Sequence, residues 1–229
     1  MKRKIAYALT VSLVLCAATA SYFYYEQVVI PEKASKERRE AINSITSLAS
    51  KEVDAFMLKT TDDGVTYEEV FKSADRAIEN IDTITSKLLA YSQEDKNEQL
   101  ADAIDYVRCG ASVVRHTKSF FDRSMRRVAS GKLIENAIES IKNASSKYEL
   151  SLISKRAEDN IKDLKKHTDE RREAALLIAK QCKALIEIGA RGRIAEHSLV
   201  SEGALKQGLA ISQSVLPKEE AKNVVVDTK

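Results

Sequence analysis

The sequence predicts an all-α protein: an elongated antiparallel helical bundle with coiled-coil-like seams, preceded by one N-terminal transmembrane or signal helix. Three observations predict it. Only 7 Gly and 2 Pro occur in 229 residues, so helix breakers are scarce while strong helix formers abound. Apolar residues recur at alternating spacings of three and four, the 3.5-residue period of a bundle seam. An uncharged run, Ile5 to Tyr25, follows the basic cluster Lys2, Arg3 and Lys4, as export signals require. With 44% hydrophobic and 31% charged residues, the chain has a globular balance and not a disordered one.

The N-terminal run is long enough, at about 1.5 Å per residue, to span a hydrocarbon core of about 30 Å. Tyr22, Phe23, Tyr24 and Tyr25 close it, as an interfacial aromatic belt does. Residues 1–4 then read as a cytoplasmic flank, 5–25 as a signal-anchor, 26–216 as an extracytoplasmic bundle and 217–229 as a mobile tail. The alternative is a signal peptide cleaved after Ala20, where Ala18-Thr19-Ala20 has the small-x-small pattern. The belt favours the uncleaved anchor, because cleavage would leave an apolar, aromatic terminus. Leu15 before Cys16 argues against lipid attachment. The expected location is the bacterial inner membrane with the domain in the periplasm, or a soluble exported domain if the segment is removed.

The first bundle helix is expected from about Glu32 to Thr60, with Ile42, Ile45, Ala49, Glu52 and Phe56 on its seam. Asp62-Asp63-Gly64 reads as a turn. Thr66 and Glu69 have the spacing of a capping box, opening a second helix to about Tyr91. Its stripe is Tyr67, Phe71, Ala74, Ile78, Ile81, Thr85 and Leu88. Ser92 is a candidate next cap, with Glu94 and Asp95 in the favourable first turn. The third helix carries Leu100, Ile104, Val107, Ala111, Val114, Lys118, Phe121, Met125 and Val128. A second stripe through Ala103, Tyr106, Val113 and Phe120 widens its face, which suits a bundle. The phase shift at Ser130-Gly131 predicts a cap or bend. Residues 143–148 are open between kink, loop and helix. The stripe resumes from Ile153 to Gly189, and a last helix is expected over about Arg193 to Leu216, weakened by Gly203 and Gly208.

Motifs for catalysis are missing. The sequence has no phosphate-cradling Gly-rich loop, no His-Glu-x-x-His, no Cys-x-x-Cys and no Glu-x-x-His, so neither an enzyme nor a bound cofactor is expected. Asp163, His167 and Glu170 share a helical face and are the one candidate metal set; they fit a solvated face as well. Arg115, Arg123, Arg126, Arg127 and Lys132 form a basic cluster that could dock acidic headgroups or an acidic partner, or could simply be solvated. Glu52, Lys118 and Arg171 fall on seam positions, so a buried charge layer is expected in which Glu52 meets Lys118 or Arg171. Cys109 and Cys182 are the thiols outside the apolar run, and export would allow a disulfide between them; because Cys109 points roughly opposite its own seam, two independent thiols, one buried as a small hydrophobe, are the competing reading.

A net charge of +3, from 37 basic and 34 acidic residues, carries no nucleic-acid footprint. The expected function is a membrane-tethered interaction module without catalytic activity, binding another envelope protein or itself. A ligand-sensing periplasmic bundle that signals through a partner is the alternative, with any small-molecule ligand left open. A metal-binding or hydrolytic enzyme is a distant third.

Overall fold

The computed structural model describes Thr19 and residues 21–92 and 97–216; most of these residues are helical, and no strand occurs among them. Five α-helices follow in order: α1 (Ile30–Lys59), α2 (Tyr67–Ser92), α3 (Glu98–Lys142), α4 (Lys147–Ala190) and α5 (Glu202–Gln213), with a single 3-10 turn at Glu196–Ser198 before the last. The chain divides into two compact units, Met1–Asn43 and Ser44–Lys229.

In the first unit a π-helical turn, Tyr25–Val29, leads into α1. Tyr22, Phe23, Tyr24 and Tyr25 are all exposed, and the Tyr22 hydroxyl donates to Glu26 Oε1 at 2.6 Å. Among the described residues no helix is long and apolar enough to cross a membrane. The basic flank, residues 5–18, Ala20, residues 93–96 and residues 217–229 lie outside the described residues.

In the second unit, ion pairs fix the direction of each neighbour. Asp82 and Asp75 of α2 pair with Arg115 and Lys118 of α3, so α2 and α3 are antiparallel. Asp102 pairs with Arg191 and Arg123 with Glu170; 21 residues onward along α3 match 21 residues back along α4. Capping chemistry sets the starts. Thr66 N donates to Glu69 Oε2 at 2.9 Å and Glu69 N donates to Thr66 Oγ1 at 3.3 Å, the reciprocal box expected from the sequence. Asn97 caps α3 by accepting from Gln99 N, and Ser146 caps α4 by accepting from Glu149 N.

The core lies where α2, the first half of α3 and the second half of α4 meet the end of α1 and α5. α1 buries Ala49, Val53, Phe56 and Met57 there, and α2 buries Val70, Ala74, Ala77, Ile81, Ile84 and Leu88. These residues keep the 3-4 alternation, displaced by one at some positions from the sequence reading. The seam residue of α1 is Val53, and Glu52 is only half-buried beside it.

Three boundaries depart from the sequence reading. Ser92 ends α2, and Asn97 and not Ser92 caps α3. α3 runs unbroken through Ser130 and Gly131 to Lys142. The phase shift there marks a change of face and not a bend: the stripe meets α2 as far as Phe121, whereas the next buried positions, Ser130 and Ala137, follow at heptad spacing from Arg123, which meets Glu170 of α4. The last helix begins only at Glu202, with Ser201 accepting from Ala204 N as its cap. Residues 193–201 instead form a strap held by long-range bonds. Ser198 O accepts from Ser50 Oγ at 2.7 Å, Val200 N donates to the Tyr106 hydroxyl at 2.7 Å, and Ser201 N donates to Asp54 at 2.9 Å. A continuing helix would consume those backbone groups.

Candidate interaction face

At about 1.5 Å per residue, 45-residue α3 and 44-residue α4 each reach close to 65–70 Å. α2 covers only part of that length. Its first residue, Tyr67, stacks edge-on to Phe121 with ring centroids 6.3 Å apart. Beyond this point α3 buries only Ser130 and Ala137, and α4 buries nothing before Ala174. α3 and α4 continue there as a paired arm. Its seam on α4 runs through Ile153, Ala157, Asn160, Leu164 and His167, all half-buried at 4-3-4-3 spacing. Small side chains such as Ser130, Ala137 and Ala157 allow a close seam but bury little area, so the larger apolar residues flank it in the open. Met125 is 38% exposed and Val128 49%; Leu133, Ile138, Leu152 and Ile161 are exposed too, and Tyr148 at the tip is 81% exposed.

The arm is rooted in a polar and aromatic layer. The Arg171 guanidinium lies 4.8 Å from the Phe120 ring centroid, a cation–π distance. Its Nε is buried without a hydrogen-bond partner. Burial first, and the like charge of Arg127 second, lower its hold on the proton. Glu170 Oε2 lies 3.1 Å from Arg123 Nε, an ion-pair approach, and 3.4 Å from His167 Nδ1; neither is an aligned hydrogen bond.

The residues singled out from sequence fall as follows. His167 and Glu170 meet, but Asp163 is exposed, and among the described residues no three His, Cys, Asp or Glu side chains are grouped to hold a metal ion. Of the basic cluster, Arg115 pairs with Asp82, Arg123 with Glu170 and Arg126 with Asp122. Arg127 and Lys132 are exposed and have no carboxylate partner among the described residues. The charge layer does not assemble as expected: Lys118 meets Asp75 of α2, Arg171 meets Phe120, and Glu52 meets neither because Val53 takes the seam.

The disulfide is a correction. Cys109 and Cys182 are both free. Cys182 is fully buried against α5, with its Sγ so close to Gly208 that a Cβ there would come within 2.7 Å, while Cys109 is half-buried near Asp105. Burial pushes the Cys182 thiol up to about 12, so it packs as a small apolar group.

The sequence reading missed the buried carboxylate Asp102. It accepts from Arg191 at 2.6 Å and Arg193 at 2.9 Å, and Arg193 also reaches Glu98 at 2.7 Å. This clamp closes the α4–α5 strap onto the start of α3. Comparison of the chain with protein-family models, with curated protein sequences and with solved structures finds no match in any of the three.

Proposed function

We propose that this chain is a membrane-tethered interaction module. Its N-terminal basic and apolar run, Lys2 to Tyr25, is the tether, and the elongated α3–α4 arm is the contact element presented outside the membrane. The observation that carries the reading is the number of large apolar side chains left exposed where α3 and α4 outrun α2. Leaving such side chains in water forfeits about 25 cal/mol per Å² that burial would return, and a partner supplies that burial. The partner is another envelope protein or a second copy of the chain.

The test is site-specific photocrosslinking in native membranes. A photoreactive residue replacing Leu133 or Ile138 should give a discrete adduct, and one replacing exposed Glu79 on α2 should not. Adducts that are equal at all three positions, or absent at all three, would overturn the reading. Mass spectrometry of the purified chain tests the tether: a mature N-terminus at Ser21 would remove it.

A further inference from the structure

We infer that the stretch of α3 from Met125 to Lys132 receives an acidic amphipathic helix of a partner protein, lying in the lane that α2 occupies further up. This rests on the interaction reading and names the partner's chemistry.

α2 already docks on this face of α3 further up. The α2-facing stripe of α3 passes through Lys118 and Phe121. Lys118 lies within that stripe and is met by Asp75 of α2; Arg115 on its flank is met by Asp82. Those acids stand seven residues apart, each directly after a buried apolar residue, Ala74 and Ile81. The lane therefore takes an apolar seam with acids at heptad spacing.

The stripe does not stop where α2 begins. It continues through Met125 and Val128 to Lys132 at spacings of three and four. Lys132 stands two heptads beyond Lys118 in the same stripe. Lys118 has its carboxylate; Lys132 is exposed with none among the described residues. Met125 and Val128 would lose their exposure under a short helix, and its acid would meet Lys132 as Asp75 meets Lys118. A basic or neutral helix would leave the lysine opposed or unanswered.

The chain contains no Trp, so Val128→Trp in the full-length protein gives a single local reporter. Two designed helical peptides serve as probes. Both copy the α2 pattern of apolar residues at 4-3 spacing; one carries Asp at the heptad-spaced flanking positions and its twin carries Lys there. The Asp peptide is expected to shift the Trp emission to the blue and to bind at least tenfold more tightly than the Lys peptide. Lys132→Glu, at an exposed position that leaves the helical spectrum unchanged, should reverse that preference. Equal binding of both peptides would overturn the acidic-partner inference while leaving the interaction reading intact. A blue shift that grows with protein concentration alone would replace the partner by a second copy, and one produced by anionic vesicles alone would replace it by lipid; either overturns the inference. Binding of neither peptide, with no adduct in the crosslinking test, removes both.

Discussion

Asp102 is a buried carboxylate held by two arginines. Burial alone would raise its carboxyl, but hydrogen bonds from Arg193 and Arg191, with their charges, outweigh burial and hold it below the usual carboxylate range. A depressed folded-state value adds stability above the unfolded value of about 4 and loses it as pH falls through the lower folded value. Asp102→Asn is therefore expected to cost about 1–2 kcal/mol at pH 7, a discount on charged hydrogen bonds because both arginines are half-exposed. The difference between variant and parent should shrink on acidification below about pH 4. Denaturant midpoints at pH 7 and pH 3 check this; a gap that stays constant with pH would show that packing and not charge fixes the strap. Nothing in the sequence flagged Asp102, because its partners stand 89 and 91 residues away and neither periodicity nor a local motif links them. The Cys109–Cys182 pairing failed for the same reason. Sequence spacing places each thiol on a face of its own helix but does not say which neighbour that face meets.

Individual elements were far more legible, since their signals are local. The Thr66–Glu69 box was read directly. Ser146-Lys147-Tyr148-Glu149 has the same S-x-x-E spacing and would have resolved the 143–148 stretch, as would Ser201 before Glu202 for the start of α5. What sequence could not separate at Ser130-Gly131 was a break from a change of face, because both shift the apolar phase. α5 gives the clearest test at this scale. Gly208 faces α4 so closely that an added Cβ would meet Cys182 Sγ at 2.7 Å, Ile178 Cγ2 at 3.5 Å and Met57 Cε at 3.7 Å. Gly208→Ala gains up to about 1 kcal/mol of helix propensity, but overpacking a closed site costs about 1–3 kcal/mol. The net expectation is destabilisation. In a Cys182→Ala background the obstructing sulfur is gone, and the same change should become neutral or stabilising. A thermodynamic cycle over the four proteins measures the coupling; strict additivity would mean that α5 does not approach α4 as described.

At the scale of the second unit, Ser44–Lys229, burial is uneven along the two longest helices. Between Leu100 and Phe120 α3 contributes many buried apolar residues, and α4 does so from Ala174 to Ile188, whereas the paired stretch between them buries only Ser130 and Ala137. The 3-4 alternation on both helices continues through core and arm alike, so the sequence could reveal a seam everywhere but not how many helices share it. That number decides local stability. Four or five helices around one core open together, while two helices sharing a seam of small residues have little apolar area to lose on separating. Hydrogen exchange is therefore expected to divide at about Phe121 on α3 and Glu173 on α4. Amides of residues 103–118 and 174–188 should exchange only through global unfolding, with full sensitivity to denaturant. Those of residues 130–165 should exchange at least a hundredfold faster, through local opening with little denaturant dependence. The measurement belongs at low protein concentration, where self-association cannot lend the arm protection. Uniform protection along α3 would contradict a thinly packed arm and remove the reason its apolar side chains need a partner. A sharp divide that disappears when the acidic peptide is added would tie the arm's marginal stability to its binding, because a ligand that binds the closed pair alone stabilises it by mass action.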